Sequence, residues 1–108
     1  MITTSFHPGS ATAVPGLVLH TTTHRVQVHD QPVQLSDIQF RTLSYLTHHH
    51  GRVVTSAELL AFVWGQDFQG SRKLVRNCVA QLRHKLRGSR GPTIENVHSV
   101  GYRLVPSS

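Results

Sequence analysis

The sequence predicts an α+β domain in which three helices pack against short antiparallel strands. Three observations support this prediction: apolar residues alternate at period two over residues 17–35, they recur at helical period in three later stretches, and two strand-like runs close the chain. A length of 108 residues leaves room for one domain with a modest core. We assign residues 17–106 to this domain, residues 1–16 to a disordered N-terminal leader and residues 107–108 to a tail.

Charge and cysteine content restrict the class of function. Eleven Lys and Arg against five Asp and Glu give a net charge of +6, which suits an anionic partner such as a nucleic acid. No run approaches the roughly 18 apolar residues that a membrane span needs. The single cysteine, Cys78, excludes an intramolecular disulfide and is typical of a reducing compartment. We therefore expect a cytoplasmic, nucleoid-associated protein with no membrane partner, in which Cys78 is a packed thiol.

Residues 17–35 predict a small antiparallel meander of three or four strands. Val26 and Val28 point to one face, and the polar residues beside them point to the other. Turn-forming residues at 21–23 and 30–32 separate the runs. Strands this short need another surface to pack on.

That surface begins with two short helices. Ser36 is predicted to cap the first helix, with Gln39 completing a capping box. The second helix spans residues 57–64 and follows a cap at Thr55 or Ser56. The apolar residues expected to face the core are Phe40, Leu43 and Leu46 in the first helix, and Leu59, Leu60, Val63 and Trp64 in the second.

The third helix, residues 71–87, carries the strongest functional signal. Its apolar stripe at helical period consists of Val75, Val79, Leu82 and Leu86. At about 100° per residue, the opposite face holds Lys73, Asn77, Ala80, Gln81 and His84, and one flank holds Arg72, Arg76, Arg83 and Arg87. Residues 71–90 contain seven Lys or Arg and no Asp or Glu, whereas a solvated surface helix usually mixes the two signs. This pattern favours the major groove of DNA.

Two strand-like runs, residues 93–97 and 102–105, end the domain. Between them, Gly101 is predicted to take the positive φ that a tight hairpin requires. Two short helices, a longer basic helix and a hairpin, in this order, describe a winged helix-turn-helix. The sequence therefore predicts an N-terminal antiparallel β-sheet, a three-helix core and a C-terminal β-hairpin wing at residues 93–105.

The same residues resemble the C-terminal effector domain of OmpR/PhoB-type response regulators over residues 17–106. The matching pieces occur in the family's order and at its spacing, which is more specific than any single piece. They are Val33-Gln34-Leu35-Ser36, Phe40-x-x-Leu43-x-x-Leu46, Gly51-Arg52-Val53-Val54-Thr55, Glu58-Leu59-Leu60-x-x-Val63-Trp64-Gly65, Leu82-Arg83-x-Lys85-Leu86 and Val97-x-x-Val100-Gly101-Tyr102-Arg103-Leu104.

The resemblance implies that specific side chains bind DNA. The third helix would enter the major groove and the wing an adjacent minor groove, with domains arranged head-to-tail on direct repeats. Trp64 would donate its indole N–H to a phosphate. Together with the helix geometry, the resemblance gives as candidate DNA contacts Trp64, Arg72, Lys73, Arg76, Asn77, Ala80, Gln81, Arg83, His84, Arg87, Asn96 and His98. It also implies that the loop before the third helix contacts RNA polymerase, through Gln66, Asp67, Phe68 and Gln69.

The chain departs from the family pattern at several positions. Arg76 stands where the family usually has an acidic residue, and Gln39 where it commonly has Glu. The wing has Asn96-Val97-His98 where Thr-Val-Arg is common, so the arginine suited to a narrow minor groove is replaced by a titratable histidine. No receiver domain precedes the helices, so we expect either an excised domain or a stand-alone regulator that aspartyl phosphorylation does not switch.

Several of the candidate side chains have a second interpretation. Asn77 and Gln81 could read adenine and Arg76 could read guanine, or all three could contact only phosphates or water. Trp64 is first of all a core residue, since large aromatic side chains at helix ends usually pack. The alternative structural ion pairs join Arg83 or Lys85 to Asp37 or Glu58.

The nine histidines raise the question of a metal site or a pH response. Residues 48–50 are consecutive histidines, which point in different directions and cannot form the i,i+4 pair that binds zinc. Protonation of His84 and His98 would strengthen DNA binding in mildly acidic conditions. The sequence also lacks a nucleophile elbow, a Gly-rich phosphate loop and a paired acidic site. We expect no metal, no cofactor and no enzyme activity.

The sequence thus predicts a bacterial transcription regulator that binds double-stranded DNA in a sequence-specific way, as a monomer in solution or a dimer on DNA. The alternative from another class is a protein-interaction module that contacts RNA polymerase. A third interpretation is the cytoplasmic DNA-binding part of a larger regulator, linked to a receiver or anchored in a membrane. The basic face of the third helix separates the first two, because an interaction module has no need of these uncompensated cations.

Overall fold

The computed structural model describes residues 11–20, 22–29, 31–65, 72–86 and 92–106. Within these residues, the chain forms two antiparallel sheets and three helical segments. The strands are β1 (Ala11–Val14), β2 (Leu17–His20), β3 (Arg25–Val28), β4 (Gln31–Val33), β5 (Val54–Thr55), β6 (Thr93–Val97) and β7 (Gly101–Val105). The helices are α1 (Asp37–His48), α2 (Ser56–Leu59), which continues as a π-helical turn (Leu60–Trp64), and α3 (Arg72–Leu86).

The N-terminal sheet has the order β1-β2-β3-β4, and every neighbouring pair is antiparallel. The predicted meander is confirmed, and it has four strands. Val26 and Val28 are buried, so the period-two pattern faces the core as expected. Pro32 lies in β4 and not in the predicted turn at 30–32; β4 is an edge strand, where the missing proline N–H is tolerated.

Strand β1 corrects the boundary of the predicted leader. Ala11–Val14 forms a strand paired with β2, although residues 1–16 were assigned to a disordered segment. Val14 is 7% exposed and belongs to the core, whereas Ala13 beside it is exposed. Four residues are too few for a clear period-two signal, so this strand owes its place to pairing with β2. The first ten residues lie outside the described part of the chain.

Both predicted helix caps are confirmed. Ser36 accepts a hydrogen bond from the Gln39 N–H at 3.2 Å, and the Ser36 N–H donates to Gln39 Oε1 at 3.0 Å. Thr55 caps α2 in the same way, with Glu58 as its reciprocal partner. The second helix begins at Ser56 and ends in a π-turn, in which the Gly65 N–H donates to the Leu60 carbonyl at 2.8 Å.

Helix α3 places its predicted apolar stripe in the core, where Val75, Val79, Leu82 and Leu86 are all buried. Cys78 is buried beside this stripe, and its thiol donates to the Thr42 hydroxyl at 3.5 Å. Burial raises the pKa of the Cys78 thiol, so the thiol is a packed group and a poor nucleophile, as predicted. The predicted helix ends, Ser71 and Arg87, lie outside the described residues.

The C-terminal sheet has the order β5-β7-β6, so the wing hairpin of β6 and β7 is anchored on a third strand, β5. From the sequence, the residues of β5 are expected to form only an extended link. The predicted reason for Gly101 is wrong, because this glycine does not have a positive φ; Ser99 in the turn does, at 58°. A Cβ on Gly101 would lie 2.0 Å from the Val54 carbonyl oxygen, so glycine is needed for the close approach of β5 to β7.

Candidate DNA-binding surface

The outer side of α3 is a basic face, defined here by its exposed polar residues and Ala80. The helix contains no Asp or Glu, so its cations have no acidic partner within the helix. The exposed residues on this face are Arg72, Lys73, Arg76, Asn77, Ala80, Gln81, His84 and Lys85. All of them except Lys85 are predicted DNA contacts. The helix therefore presents cations and hydrogen-bonding groups together.

Arg83 differs from the other arginines of the helix because it is half-buried and bonded to the wing. Its Nε donates to the Ile94 carbonyl oxygen at 2.8 Å, and its guanidinium also donates to Asn96 Oδ1. Two candidate DNA contacts, Arg83 and Asn96, are therefore partners of each other. This fork holds strand β6 against α3.

The two carboxylates considered as partners of Arg83 and Lys85, Asp37 and Glu58, pair with other residues. Asp37 lies 3.8 Å from Arg41 and 3.6 Å from His24, and Glu58 pairs with Arg52 at 2.7 Å. Neither carboxylate pairs with Arg83 or Lys85, and the structural contacts of Arg83 are with the wing.

A notch of about 150 Å³ separates the N-terminal half of α3 from the wing. Arg72 and Arg76 line it from the helix, and Asn96 and Ser99 line it from the wing. None of the described residues around the notch is acidic. Two guanidinium groups, hydroxyl groups and an amide around one small space suit an anion such as a phosphate.

Gln81 is connected to the first helix through Gln39. The Gln39 Nε2 donates to Gln81 Oε1 at 2.8 Å, and Lys85 Nζ donates to Gln39 Oε1 at 2.8 Å. Lys85 also donates to the Gln34 carbonyl oxygen at 2.7 Å. From the sequence, Gln39 is expected to cap the helix and nothing indicates its contact with Gln81, because no local pattern links residues that are 42 positions apart.

Trp64 is half-buried and packs against the core, as its first interpretation predicted. Its indole N–H has no hydrogen-bond partner in the described part of the chain. No buried polar side-chain atom of the described residues lacks a partner, so this N–H is accessible from outside. The side chain can therefore pack and still donate to an external group.

The tip of the wing is a tight turn in which the Val100 N–H donates to the Val97 carbonyl oxygen at 2.9 Å. His98 lies exposed in this turn, as predicted. Val100 is 50% exposed, although nothing in the sequence predicts this, and it places an apolar side chain at the tip.

Several expectations fall outside the described residues or concern absent features. Arg87 and the loop residues Gln66, Asp67, Phe68 and Gln69 lie outside the described ranges. Over the residues that are described, no three His, Cys, Asp or Glu side chains are grouped so as to hold a metal ion. No helix among them is long and apolar enough to cross a membrane.

Comparisons with known proteins identify the family and the fold of the chain. The family model described as "Transcriptional regulatory protein, C terminal" matches residues 30–104. The probable transcriptional regulatory protein TcrX of Mycobacterium tuberculosis is 33% identical over 104 residues, which are 96% of this chain and 44% of that protein. The phosphate regulon regulator PhoB of Rhizobium meliloti is 37% identical over 83 residues, which are 76% of this chain and 37% of that protein.

A solved structure of the C-terminal DNA-binding domain of RstA from Klebsiella pneumoniae is also similar. It superposes with a TM-score of 0.75 at 26% identity, covering 96% of this chain and 94% of that one. The predicted winged-helix fold is thereby confirmed. The chain spans less than half the length of the two curated relatives, whereas it matches the isolated domain of RstA over nearly its full length.

Proposed function

The chain belongs to the family of OmpR/PhoB-type C-terminal domains of transcriptional regulatory proteins, and from this premise we propose that it regulates transcription by binding duplex DNA at a specific sequence. The observation that carries the proposal is the basic face of α3 next to the wing, with the notch between them. Helix and hairpin together offer two contacts to one duplex, since a helix fits the major groove and a narrow hairpin tip fits the minor groove.

In this proposal the groups around the notch hold the DNA backbone. Arg72 and Arg76 would bind a phosphate that lies between the two grooves, and Lys73 and the Trp64 indole N–H would bind neighbouring phosphates. These contacts fix the register of the protein and give affinity that decreases with salt.

Base recognition would come from the centre of α3 and from the wing tip. Asn77, Ala80 and Gln81 are exposed in the middle of the basic face, where base edges are within reach of a helix in the major groove. His84 extends this face toward the C-terminal end of the helix. His98 and Val100 would enter the minor groove from the turn of the wing.

The wider biology is part of the same proposal. Two domains would sit head-to-tail on a direct repeat, the loop at residues 66–69 would contact RNA polymerase, and the protein would act in the cytoplasm at the nucleoid. A module that only grips a protein partner has no use for the exposed cations of α3, so we favour DNA over that alternative. In proteins of greater length the domain would be the DNA-binding part of the regulator.

The test is selection of tight binders from a random duplex pool, followed by affinity measurements at several salt concentrations. We expect a defined motif. Arg72→Gln with Arg76→Gln should weaken binding to every sequence and reduce the magnitude of the slope of log K against log salt by about 0.9, the value for one lost phosphate contact. The matched control is Arg25→Gln with Arg41→Gln, which removes the same charge from exposed positions on β3 and α1. No enriched motif, or equal effects of the two double variants, would contradict the proposal.

A further inference from the structure

We propose that Gln39, on helix α1, is a specificity-determining residue that presents the NH₂ group of Gln81 to the DNA. Gln81 would then donate to a hydrogen-bond acceptor on a base edge, and guanine offers the best one. It would not form the contact with adenine that uses both the NH₂ group and the oxygen of the amide. The inference rests on the proposed function, since it concerns how the same surface chooses a base.

Two donors fix the orientation of the Gln39 amide. Its Oε1 receives the Ser36 backbone N–H at 3.0 Å and the Lys85 Nζ at 2.8 Å. A backbone N–H and an ammonium group can only donate, so the atom between them must be the oxygen. Lys85 is itself held in place by the Gln34 carbonyl oxygen at 2.7 Å.

The orientation of the Gln39 amide determines the orientation of the Gln81 amide. Gln39 is 7% exposed, so water cannot readily replace a lost partner. With its oxygen facing Ser36 and Lys85, its NH₂ group faces Gln81 and donates to Gln81 Oε1 at 2.8 Å. Turning the Gln81 amide over would place two NH₂ groups against each other, so the oxygen of Gln81 stays on the side of α1.

Gln81 presents its NH₂ group to a duplex bound on this face. Its residue is exposed, and its NH₂ group makes no hydrogen bond within the described part of the chain. Asn77, one helical turn earlier, is exposed on the same face. Because the oxygen is anchored toward α1, the amide meets the major groove with its donor end. In that groove the acceptors are guanine N7 and O6, adenine N7 and thymine O4, and guanine offers two of them side by side.

One substitution at Gln39 reverses which end of the Gln81 amide faces the DNA. In Gln39→Glu the carboxylate can only accept, so Gln81 must turn its NH₂ group toward α1 and present its oxygen to the DNA. The preferred base at the contacted position should then change from guanine to one with a donor, cytosine or adenine. Gln81→Glu, at an exposed position, should change the preference in the same direction, because its outward atom is also an oxygen.

Selection from a random duplex pool is carried out with the wild type, Gln81→Ala and the two Glu variants. Gln81→Ala identifies the contacted base pair as the position at which preference is lost. At that pair we expect the affinity ratio of guanine to cytosine duplexes to change by about tenfold or more in each Glu variant. The control Gln27→Glu adds the same charge at an exposed position on β3 and should leave the ratio unchanged.

The outcomes separate the inference from the proposed function. If the wild type enriches no motif, the proposed function fails and the inference fails with it. If a motif is enriched but Gln81→Ala changes no position, or the position prefers adenine, or both Glu variants keep the guanine preference, the inference alone is overturned. The Gln39 side-chain amide signal in NMR spectra should also shift in Gln81→Ala without DNA, and an unchanged signal would contradict the hydrogen bond itself.

Discussion

At the scale of single residues, Glu58 organises the second helix and its surroundings. Its carboxylate accepts hydrogen bonds from the Tyr45 hydroxyl and from Arg52, both at 2.7 Å, and from the Thr55 N–H at 3.3 Å. The Arg52 guanidinium above all, with the Tyr45 and Thr55 donors, lowers the pKa of Glu58 from 4.5 to about 2 in spite of partial burial. One side chain therefore closes the helix cap and joins two helices.

This cluster predicts a specific pH dependence of stability. Because the pKa of Glu58 is lower in the folded protein, its contribution is complete above pH 4.5 and is lost as the pH falls toward about 2. We expect Glu58→Gln to reduce the free energy of unfolding at pH 7 by about 1–2 kcal/mol, a value that allows for solvent around the half-exposed Arg52. Urea unfolding at pH 7, 4 and 2.5 should show the difference from wild type shrinking as the pH falls.

A second carboxylate provides the control for that measurement. Glu95 pairs with Arg103 at 2.8 Å on the surface of the wing, and both side chains are well exposed. Glu95→Gln should change stability by less than about 1 kcal/mol at every pH. A Glu58→Gln penalty that is the same at pH 7 and pH 2.5 would show that the lost energy does not come from the ionised carboxylate.

At the scale of elements, short strands gain their stability from the partners on which they pack. Strand β1 has four residues and β5 has two, lengths at which an isolated strand is not stable. Each is held by a neighbour, β2 in the first case and β7 in the second. Val14, at the end of β1, is buried in the core, and β1 contacts α1.

Two adjacent substitutions in β1 test whether this strand is part of the folded domain. Val14→Asp should lower the free energy of unfolding by roughly 2–4 kcal/mol, because a carboxylate would be buried without a partner. Ala13→Asp, one residue earlier on the exposed side, should stay within about 0.5 kcal/mol of wild type. Chemical denaturation of both variants measures the contrast, and equal, small effects would mean that these residues do not pack in solution.

At the scale of the whole molecule, the proposed DNA-binding surface is assembled from distant parts of the chain. The wing is fixed on one side by pairing with β5 and on the other by the Arg83 fork to Ile94 and Asn96. The distance between the helix and the hairpin tip is thus set inside the protein before DNA binds. Such preorganisation reduces the ordering cost of binding.

Arg83→Lys tests this arrangement, since lysine keeps the charge but cannot form the two-pronged contact. We expect the affinity for the selected duplex to fall by about tenfold while the slope of log K against log salt stays the same. If Arg83 instead bound a DNA phosphate directly, lysine would preserve most of the affinity as well as the slope. Combining Arg83→Lys with Asn96→Ala should cost less than the sum of the two, as expected for partners in one interaction.

The sequence by itself determined those features that depend on residues three or four positions apart. The capping box at Ser36, a cap at Thr55 or Ser56, the buried stripe of α3 and the exposed cations beside it all follow from helical period and cap chemistry. The structure decides for Thr55 and adds Glu58 as its reciprocal partner. The order of these elements was sufficient to predict the winged-helix fold.

The tertiary structure alone decided the features that join distant residues. Gln81 meets Gln39 across 42 positions and Lys85 meets Gln34 across 51, so no local pattern could indicate which end of the Gln81 amide faces outward. Gly101 was identified as a special position for the wrong reason, because its requirement comes from the nearby backbone of Val54 and not from its own φ. Local interactions specify elements within one or two turns of chain, whereas the proposed DNA-binding surface depends on how those elements pack.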